Sequence, residues 1–155
     1  MTTITIRNVT ETDLAILFEQ QLDPEATAMA AFPSRDREAF MAHSAKIIAD
    51  ESVIFKAIIF DGQVAGSMGS WIMEGEWEVG YWLGKEFWGK GIATRALAEY
   101  VKIVKTRPLF AHVARHNIGS RRVLEKCGFK VIGEDSYINP AGVEVEEFIL
   151  KLENN

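Results

Sequence analysis

Residues 88–94 read Trp-Gly-Lys-Gly-Ile-Ala-Thr and stand where an apolar, strand-like run gives way to a helical run. A glycine-rich turn at the start of a helix presents several backbone N–H groups at the positive end of the helix dipole. Such groups bind phosphate oxygens without the help of a basic side chain. The sequence therefore predicts a phosphate-binding turn, and the neighbouring residues have to indicate its ligand.

Two nucleotide-binding patterns fit this turn only in part. Gly84 to Lys90 matches G-x-x-x-x-G-K, but Gly91 follows where an ATP-binding loop needs the Ser or Thr hydroxyl that holds Mg²⁺. Gly89 to Thr94 begins like a dinucleotide-binding loop, but Thr94 stands in place of the third Gly or Ala. No β-α-β unit opens the chain, which also argues against a dinucleotide site.

A second motif downstream indicates a different ligand. The stretch from Asn117 to Phe129 reads N-x-x-S-x-x-x-L-E-K-x-G-F, with Ser120 as its serine. The turn and this helix together resemble the two motifs of the GNAT N-acetyltransferases, in the same order and at the same separation. The pyrophosphate loop of that family reads Q/R-x-x-G-x-G/A, and Trp88 occupies the Q/R position here. Trp88 and the Tyr-Trp-Leu before the loop resemble the Rim-type branch, which acetylates the N-termini of ribosomal proteins.

The resemblance implies acetyl-CoA as the acetyl donor, an amine as the acceptor and no metal. Backbone N–H groups of residues 89–94 would bind the pyrophosphate, and the strand edge at Trp82 and Leu83 would pair with the pantetheine amide. Asn117 would reach the pantetheine or a bound water. The cofactor-binding residues implied in this way are Trp82, Leu83, Trp88, Gly89, Lys90, Gly91, Ile92, Ala93, Thr94, Asn117 and Ser120.

Several of these residues also have an ordinary structural explanation. Asn117 is a typical helix N-cap, Lys90 could be solvated, and Trp82 and Trp88 could serve packing alone. Cys127 is expected to be a buried helix residue, because no activating environment for its thiol is visible in the sequence.

Direct acetyl transfer needs a neutral amine, a donor for the oxyanion and a proton for the CoA thiolate. A backbone N–H near Trp82 is the expected oxyanion donor. Many members of the family carry a Tyr on the second helix as the acid, but the aligned residue here is Leu124. The Rim-type branch offers the motif serine instead, so we predict that Ser120 protonates the thiolate. The alternative is that Ser120 only supports the helix start by bonding a backbone N–H.

Several residues are candidates for the general base. Glu76 and Glu78 lie on the strand that bears the base in many relatives, although both could face solvent, and a bulge predicted before Leu83 leaves their phase open. His112 titrates near neutral pH but could equally be a structural histidine. Tyr137 lies near the place where a Rim-type relative carries its proposed carboxylate base, yet it is not a carboxylate. We choose Glu78.

The element pattern predicts a sheet that positions both motifs. Strands are expected at 3–9, 52–60, 63–72, 76–83, 108–113, 129–137 and 143–152, and helices after residue 10 and at 34–49, 92–104 and 117–127. Two prolines bracket an Ala- and Met-rich piece within 22–34, which fits a further short helix. The predicted class is α+β, a mixed and largely antiparallel sheet with one parallel crossover through the 92–104 helix. The resemblance implies the GNAT acyl-CoA N-acyltransferase fold.

Composition limits the remaining possibilities. A chain of 155 residues fits one domain over 1–155, and a net charge of −5 gives little support to nucleic-acid binding. A single cysteine excludes an internal disulfide and fits a reducing compartment. No membrane span or signal peptide is visible, so the expected location is the cytoplasm.

The favoured function is acetyl transfer from acetyl-CoA to a primary amine such as a protein N-terminus. The main alternative is a non-catalytic acyl-CoA-binding domain, and a small ATPase is a third hypothesis. Residues 22–50 and 134–144 are expected to shape the acceptor pocket. A homodimer through the C-terminal strands is also expected.

Overall fold

A seven-stranded mixed sheet forms the centre of the molecule in the computed structural model, which describes residues 3–153. The strands are β1 Ile4–Asn8, β2 Ile54–Phe60, β3 Gln63–Met73, β4 Glu76–Leu83, β5 Leu109–Ala114, β6 Lys130–Ile138 and β7 Glu144–Leu152. The helices are α1 Glu11–Gln20, α2 Pro24–Ala30, α3 Arg37–Ala49, α4 Ile92–Ile103 and α5 Ile118–Lys126, with a 3-10 turn at Lys85–Phe87. Within this described range, no helix is both long and apolar enough to cross a membrane.

The sheet has the order β1-β2-β3-β4-β5-β7-β6. Among the strands described, β4 and β5 form the parallel pair, joined by the α4 crossover, and all other neighbours are antiparallel. This confirms the predicted α+β class with one parallel crossover. The parallel ladder consists of a single pair, Glu78 with Phe110, so β4 and β5 diverge beyond that point.

The larger apolar core lies between the sheet and the face formed by α4 and α5. The amphipathic α4 helix buries Ala96, Leu97 and Tyr100 against it. The phenol of Tyr100 donates to the carbonyl of Ile54 and is also hydrogen-bonded to Ser70 Oγ, which satisfies a polar group deep in this core. A second apolar cluster, on the opposite face, packs α1 and α3 against β2.

Alternation along β4 divides its side chains between these two faces. Tyr81 and Leu83 belong to the α4 side, whereas the indole N–H of Trp82 donates to the carbonyl of Gln20 in α1, at 3.4 Å. The predicted bulge before Leu83 is wrong as a register shift, because the β3–β4 pairing runs unbroken from Gly66 opposite Leu83 to the hairpin end. Glu78 therefore points to the α1 side by strict alternation.

The segment between the two prolines forms a true helix. Asp23 caps α2 by accepting hydrogen bonds from two backbone N–H groups, and Pro24 occupies the first helical position, where its missing N–H has no consequence. The predicted helix at 34–49 begins after Asp36, which accepts from Ala39 N. The C-terminal strands form the predicted hairpin, and β7 inserts between β5 and β6.

Candidate active site

A cavity of about 400 Å³ opens where β4 and β5 diverge, between α2 and the starts of α4 and α5. Its wall contains nearly all of the cofactor-binding residues that the sequence predicts: Trp82, Leu83, Trp88, Gly89, Gly91, Ile92, Ala93, Thr94, Asn117 and Ser120. Lys90 is exposed and does not line the cavity. The fold thus brings the two motifs together around one opening.

The glycine turn leaves the start of α4 open to a ligand. Asp23, Asp36 and Asn117 cap α2, α3 and α5 with side-chain oxygens, whereas α4 begins on Gly91, which has no side chain to offer. Gly89 and Gly91 have φ values of 75° and 74°, in the left-handed region that favours glycine. A Cβ at either residue would meet nothing within 4 Å, so space lies above the turn. The first N–H groups of α4 are therefore free for phosphate oxygens.

Trp88 has a structural explanation at the position where the family pattern has Gln or Arg. Its indole N–H donates to the carbonyl of Leu83, the last residue of β4, at 2.9 Å. Because this carbonyl points away from β3, the bond joins the turn to the exposed edge of β4. Trp88 thus fixes the turn relative to the strand.

The start of α5 forms the opposite wall of the cavity. Asn117 is the N-cap and accepts from Ser120 N at 3.2 Å, which confirms the structural interpretation of that asparagine. The Ser120 hydroxyl is not needed for capping, and its Oγ accepts a hydrogen bond from the phenol of Tyr81 at 3.1 Å. Burial raises the pKa of Tyr81, so this phenol stays protonated at neutral pH.

Among the lining residues that the sequence motifs do not predict, three have polar side chains: Tyr81, Arg122 and Lys126. Tyr81 lies within the quoted Tyr-Trp-Leu run, and its partnership with Ser120 depends on a contact between elements far apart in the chain. Arg122 and Lys126 are four residues apart on α5 and therefore share one helix face. This i, i+4 spacing of two basic residues could have predicted, from the sequence, a positively charged edge of the cavity.

Gly66 on β3 shapes the exposed end of β4. A Cβ at this residue would lie 2.1 Å from the carbonyl oxygen of Trp82, closer than any atom can approach. The absence of a side chain therefore lets the Trp82 carbonyl turn toward β3. This orientation of the Trp82 carbonyl helps to set the backbone at the edge of β4, where the resemblance implies pairing with pantetheine.

Two residues on α5 and its C-terminus belong to the core. Leu124 is buried at the position where, by the resemblance, many family members carry a tyrosine that acts as the general acid. The Cys127 thiol is half-buried and contacts the carbonyl of Thr94, and burial raises its pKa, which makes it a poor nucleophile. The helix ends in a Schellman motif, with Phe129 N bonded to the Leu124 carbonyl and Gly128 at a φ of 96°.

A charged cluster lies on the other face of the sheet, at the same β4–β5 junction. His112 Nε2 is 3.4 Å from Glu78 Oε1, and Nδ1 of the same ring is 2.7 Å from Glu147 Oε1. Asp135 Oδ2 lies 4.0 Å from Nδ1. Glu78 and His112, which the sequence offers as alternative bases, are thus in contact with each other.

The electrostatics of this cluster separate the base candidates. Hydrogen bonding to Glu147 and then to Glu78 raises the pKa of His112 to about 10. An imidazolium has no free lone pair, so His112 is unsuited to accept a proton near neutral pH. Glu76 is exposed at the hairpin end of β4, away from the point where the strands diverge. Burial raises the pKa of Tyr137, so its phenol stays protonated near neutral pH and is unsuited to accept a proton. Glu78 is the buried carboxylate at the point where the strands diverge.

A second opening of about 710 Å³ lies between the α2 segment and the β6–β7 hairpin. Both regions that were expected to shape the acceptor pocket contribute to its wall, which includes Phe32 and Asn139. Asn139 Nδ2 donates to the carbonyl of Ala31, and His116 Nε2 lies 2.8 Å from the carbonyl of Ala28. These contacts hold the α2 segment against the ends of β5 and β6. An acceptor role for this opening stays a prediction.

Solved structures share this fold over nearly the whole chain. A GNAT-family acetyltransferase from Bacillus anthracis is 19% identical, with a TM-score of 0.81 over 97% of this chain and 94% of that chain. A spermidine N-acetyltransferase from Vibrio cholerae, in complex with CoA and spermine, is 18% identical, with a TM-score of 0.80 over 97% and 95%. AAC(6')-Ib in complex with ribostamycin and coenzyme A is 20% identical, with a TM-score of 0.77 over 98% and 94%.

No curated protein sequence is significantly similar to the chain. At the identities given above, the solved structures establish the shared fold and nothing more. The family assignment comes from a sequence model described as the acetyltransferase (GNAT) domain, which matches residues 3–130, from β1 through the glycine turn and α5. The chain therefore belongs to the GNAT acetyltransferase family.

Proposed function

We propose that this protein transfers an acetyl group from acetyl-CoA directly to a primary amine. The observation that carries the proposal is the junction of β4 and β5. There a cavity with an uncapped helix start opens between the diverging strands, and the buried Glu78 carboxylate lies at the point where they separate. Donor and acceptor would meet through the gap between the diverging strands.

The cofactor-binding proposal rests on the chemistry of the cavity wall. Backbone N–H groups of residues 89–94 would bind the pyrophosphate, and Arg122 and Lys126 would add positive charge at the α5 edge. The free edge of β4 at Leu83 would pair with the pantetheine amide as an added strand. Lys90 would act only on phosphate oxygens outside the cavity.

The acid in this mechanism would be Ser120. Because Tyr81 donates to Ser120 Oγ, the serine's own hydrogen remains free to point into the cavity toward a leaving thiolate. Tyr81 would therefore be a positioning residue. A hydroxyl pair from β4 and α5 would replace the tyrosine that is absent at Leu124.

The base would be Glu78, acting on the amine from the α1 side of the sheet. His112 holds this carboxylate from one direction and is itself held by Glu147. The imidazolium would fix the orientation of Glu78 and keep it at the junction. This arrangement separates the base from the Ser120 hydroxyl by the thickness of the sheet.

An acceptor screen tests the proposal. The protein is incubated with acetyl-CoA and a panel of alanine-initiated peptides, free amino acids, polyamines and aminoglycosides, and released CoA thiol is measured. We expect amine-dependent thiol release and an acetylated product by mass spectrometry. Saturable CoA binding without transfer to any amine would contradict the proposal and favour a non-catalytic acyl-CoA-binding domain, which the buried Leu124 makes the second candidate.

The finer assignment is that the enzyme is of the Rim type and acetylates a protein N-terminus. The supporting observations are Trp88 in the turn and the N-x-x-S motif from Asn117 to Ser120. Two related structures contain small amines, ribostamycin and spermine, so small acceptors belong in the same screen.

We also propose a single cytoplasmic domain over 1–155. A homodimer would use β6, the edge strand at the C-terminal side of the sheet.

A further inference from the structure

Trp71 is a half-exposed aromatic residue on the base side of the sheet. It lies on β3 directly opposite Glu78 in the β3–β4 register, so both side chains point to the same face. Directly opposed residues have Cβ atoms about 4.5–5.5 Å apart. The residue is 37% exposed, which is high for an indole placed beside a buried carboxylate.

A glycine on β4 creates the place where this indole lies. A Cβ at Gly80 would be only 2.9 Å from Cη2 of Trp71, so the indole lies across Gly80. Gly80 is two residues beyond Glu78, in the part of β4 that has already left β5. The indole is therefore directed along β4 toward the gap through which donor and acceptor would meet.

The carboxylates that gather around His112, next to Glu78, favour a positive ligand on this face of the sheet. Three carboxylates, from Glu78, Asp135 and Glu147, gather around the single imidazole of His112. An indole face attracts cations through its quadrupole, most strongly where water is partly excluded. A ligand amine entering beside Glu78 would meet an aromatic face on one side and a surplus of negative charge on the other.

We propose that Trp71 is a specificity-determining wall of the acceptor site, which binds a cationic alkylamine with its charge against the indole and beside Glu78. This inference rests on the proposed acetyl transfer and adds the acceptor class. Acceptors with an ammonium group on an aliphatic chain are favoured over neutral isosteres and over acceptors with a carboxylate next to the amine.

The test compares wild type with Trp71→Leu and Trp71→Phe. With the best amine from the acceptor screen, Trp71→Leu is expected to raise the acceptor KM by about 2- to 30-fold, while the acetyl-CoA KM stays unchanged. Trp71→Phe retains an aromatic face and is expected to lie between the two. An unchanged acceptor KM in Trp71→Leu would overturn the proposal.

A binding measurement keeps the inference separate from turnover. The affinities of n-butylammonium and n-butanol for the CoA-saturated protein are measured by ligand-observed NMR. Wild type is expected to prefer the ammonium, and Trp71→Leu to lose that preference. If this pattern is found without any acetyl transfer, acetyl transfer fails and the cation site stands. Equal binding of the two probes to wild type would overturn the site.

Two glycine variants form a matched pair for the indole position. Gly80→Ala introduces a methyl group 2.9 Å from Trp71 Cη2 and is expected to reproduce the acceptor KM increase of Trp71→Leu. Gly69→Ala, on the neighbouring strand, meets its nearest atom at 3.6 Å and is expected to behave as wild type. An unchanged acceptor KM in Gly80→Ala, with a folded protein by circular dichroism, would count against the indole position.

Discussion

His112 Nδ1 lies 2.7 Å from Glu147 Oε1, a charge-assisted hydrogen bond between neighbouring strands of the sheet. The other ring nitrogen faces Glu78, so one imidazolium joins β4, β5 and β7 at the point where the sheet begins to open. The bond is both a structural link across the junction and the reason that His112 is unsuited as a base. The protonation of His112 can therefore be detected through the pH dependence of the free energy of unfolding.

We predict an alkaline loss of stability that depends on His112. The pKa of this histidine is about 10 in the folded protein against 6.5 as its usual value, so folding favours the charged form. The stabilisation is fully present below pH 6.5 and is lost as the pH rises toward 10. Chemical denaturation of wild type and His112→Gln across this range should give two free energies of unfolding that converge with increasing pH.

His43→Gln is the matched control for this measurement. Burial lowers the pKa of His43, so its removal should leave the alkaline loss of stability intact. If His112→Gln kept the full wild-type dependence between pH 6.5 and 10, the ion-pair description of the junction would be wrong.

Because Tyr81 and Ser120 are hydrogen-bonded, we predict that the effects of replacing them on kcat are not additive. Ser120→Ala should lower kcat about 100-fold through loss of the acid, with little change in the acetyl-CoA KM. Tyr81→Phe should lower kcat about 10-fold, because one orienting hydrogen bond is lost. Since Tyr81 acts through Ser120, the double variant should be no slower than Ser120→Ala alone.

Steady-state kinetics of the four proteins form the double-mutant cycle. Ser136→Ala, an exposed serine on β6, serves as a control for removing a hydroxyl elsewhere. Multiplying losses in the double variant would show that Tyr81 acts independently, and a near-native rate for Ser120→Ala would end its role as the acid.

Glu78 predicts the acidic limb of the pH–rate profile. If it accepts the amine proton, kcat/KM should fall at low pH in wild type, and Glu78→Gln should have a strongly reduced rate without that limb. Glu76→Gln removes an exposed carboxylate from the same strand and should keep the wild-type profile. Retention of the acidic limb by Glu78→Gln would assign the base to another group.

Local patterns predicted the elements and the two motifs, because their signals lie within short stretches of sequence. The glycine turn, the Asn117 cap and the Gly128 stop depend on backbone geometry that a few neighbouring residues determine. The approach of Tyr81 to Ser120 depends instead on how β4 meets α5, 39 residues later. No local pattern encodes such a contact.

The charged junction was even less accessible from the sequence. Glu78 and His112 were competing candidates in the sequence, whereas the parallel crossover makes them partners. Glu147 joins them only because β7 inserts between β5 and β6. The order of strands in a sheet depends on non-local pairing, so the cluster could be recognised only in the folded chain.

The glycine turn before α4 predicts that a substitution there affects CoA binding in addition to the folding stability. Gly91 has a φ of 74°, and Gly75, in the β3–β4 turn, has a φ of 82°; neither would meet another atom with a Cβ. Replacing either by alanine should cost roughly 1–2 kcal/mol of folding free energy, because the left-handed backbone is strained for residues with a Cβ. Only Gly91→Ala is expected to weaken CoA binding, by distorting the N–H groups that face the phosphate. Isothermal titration with CoA, together with thermal denaturation of both variants, measures the two effects. Equal CoA affinities in two equally destabilised variants would remove the turn from the cofactor site.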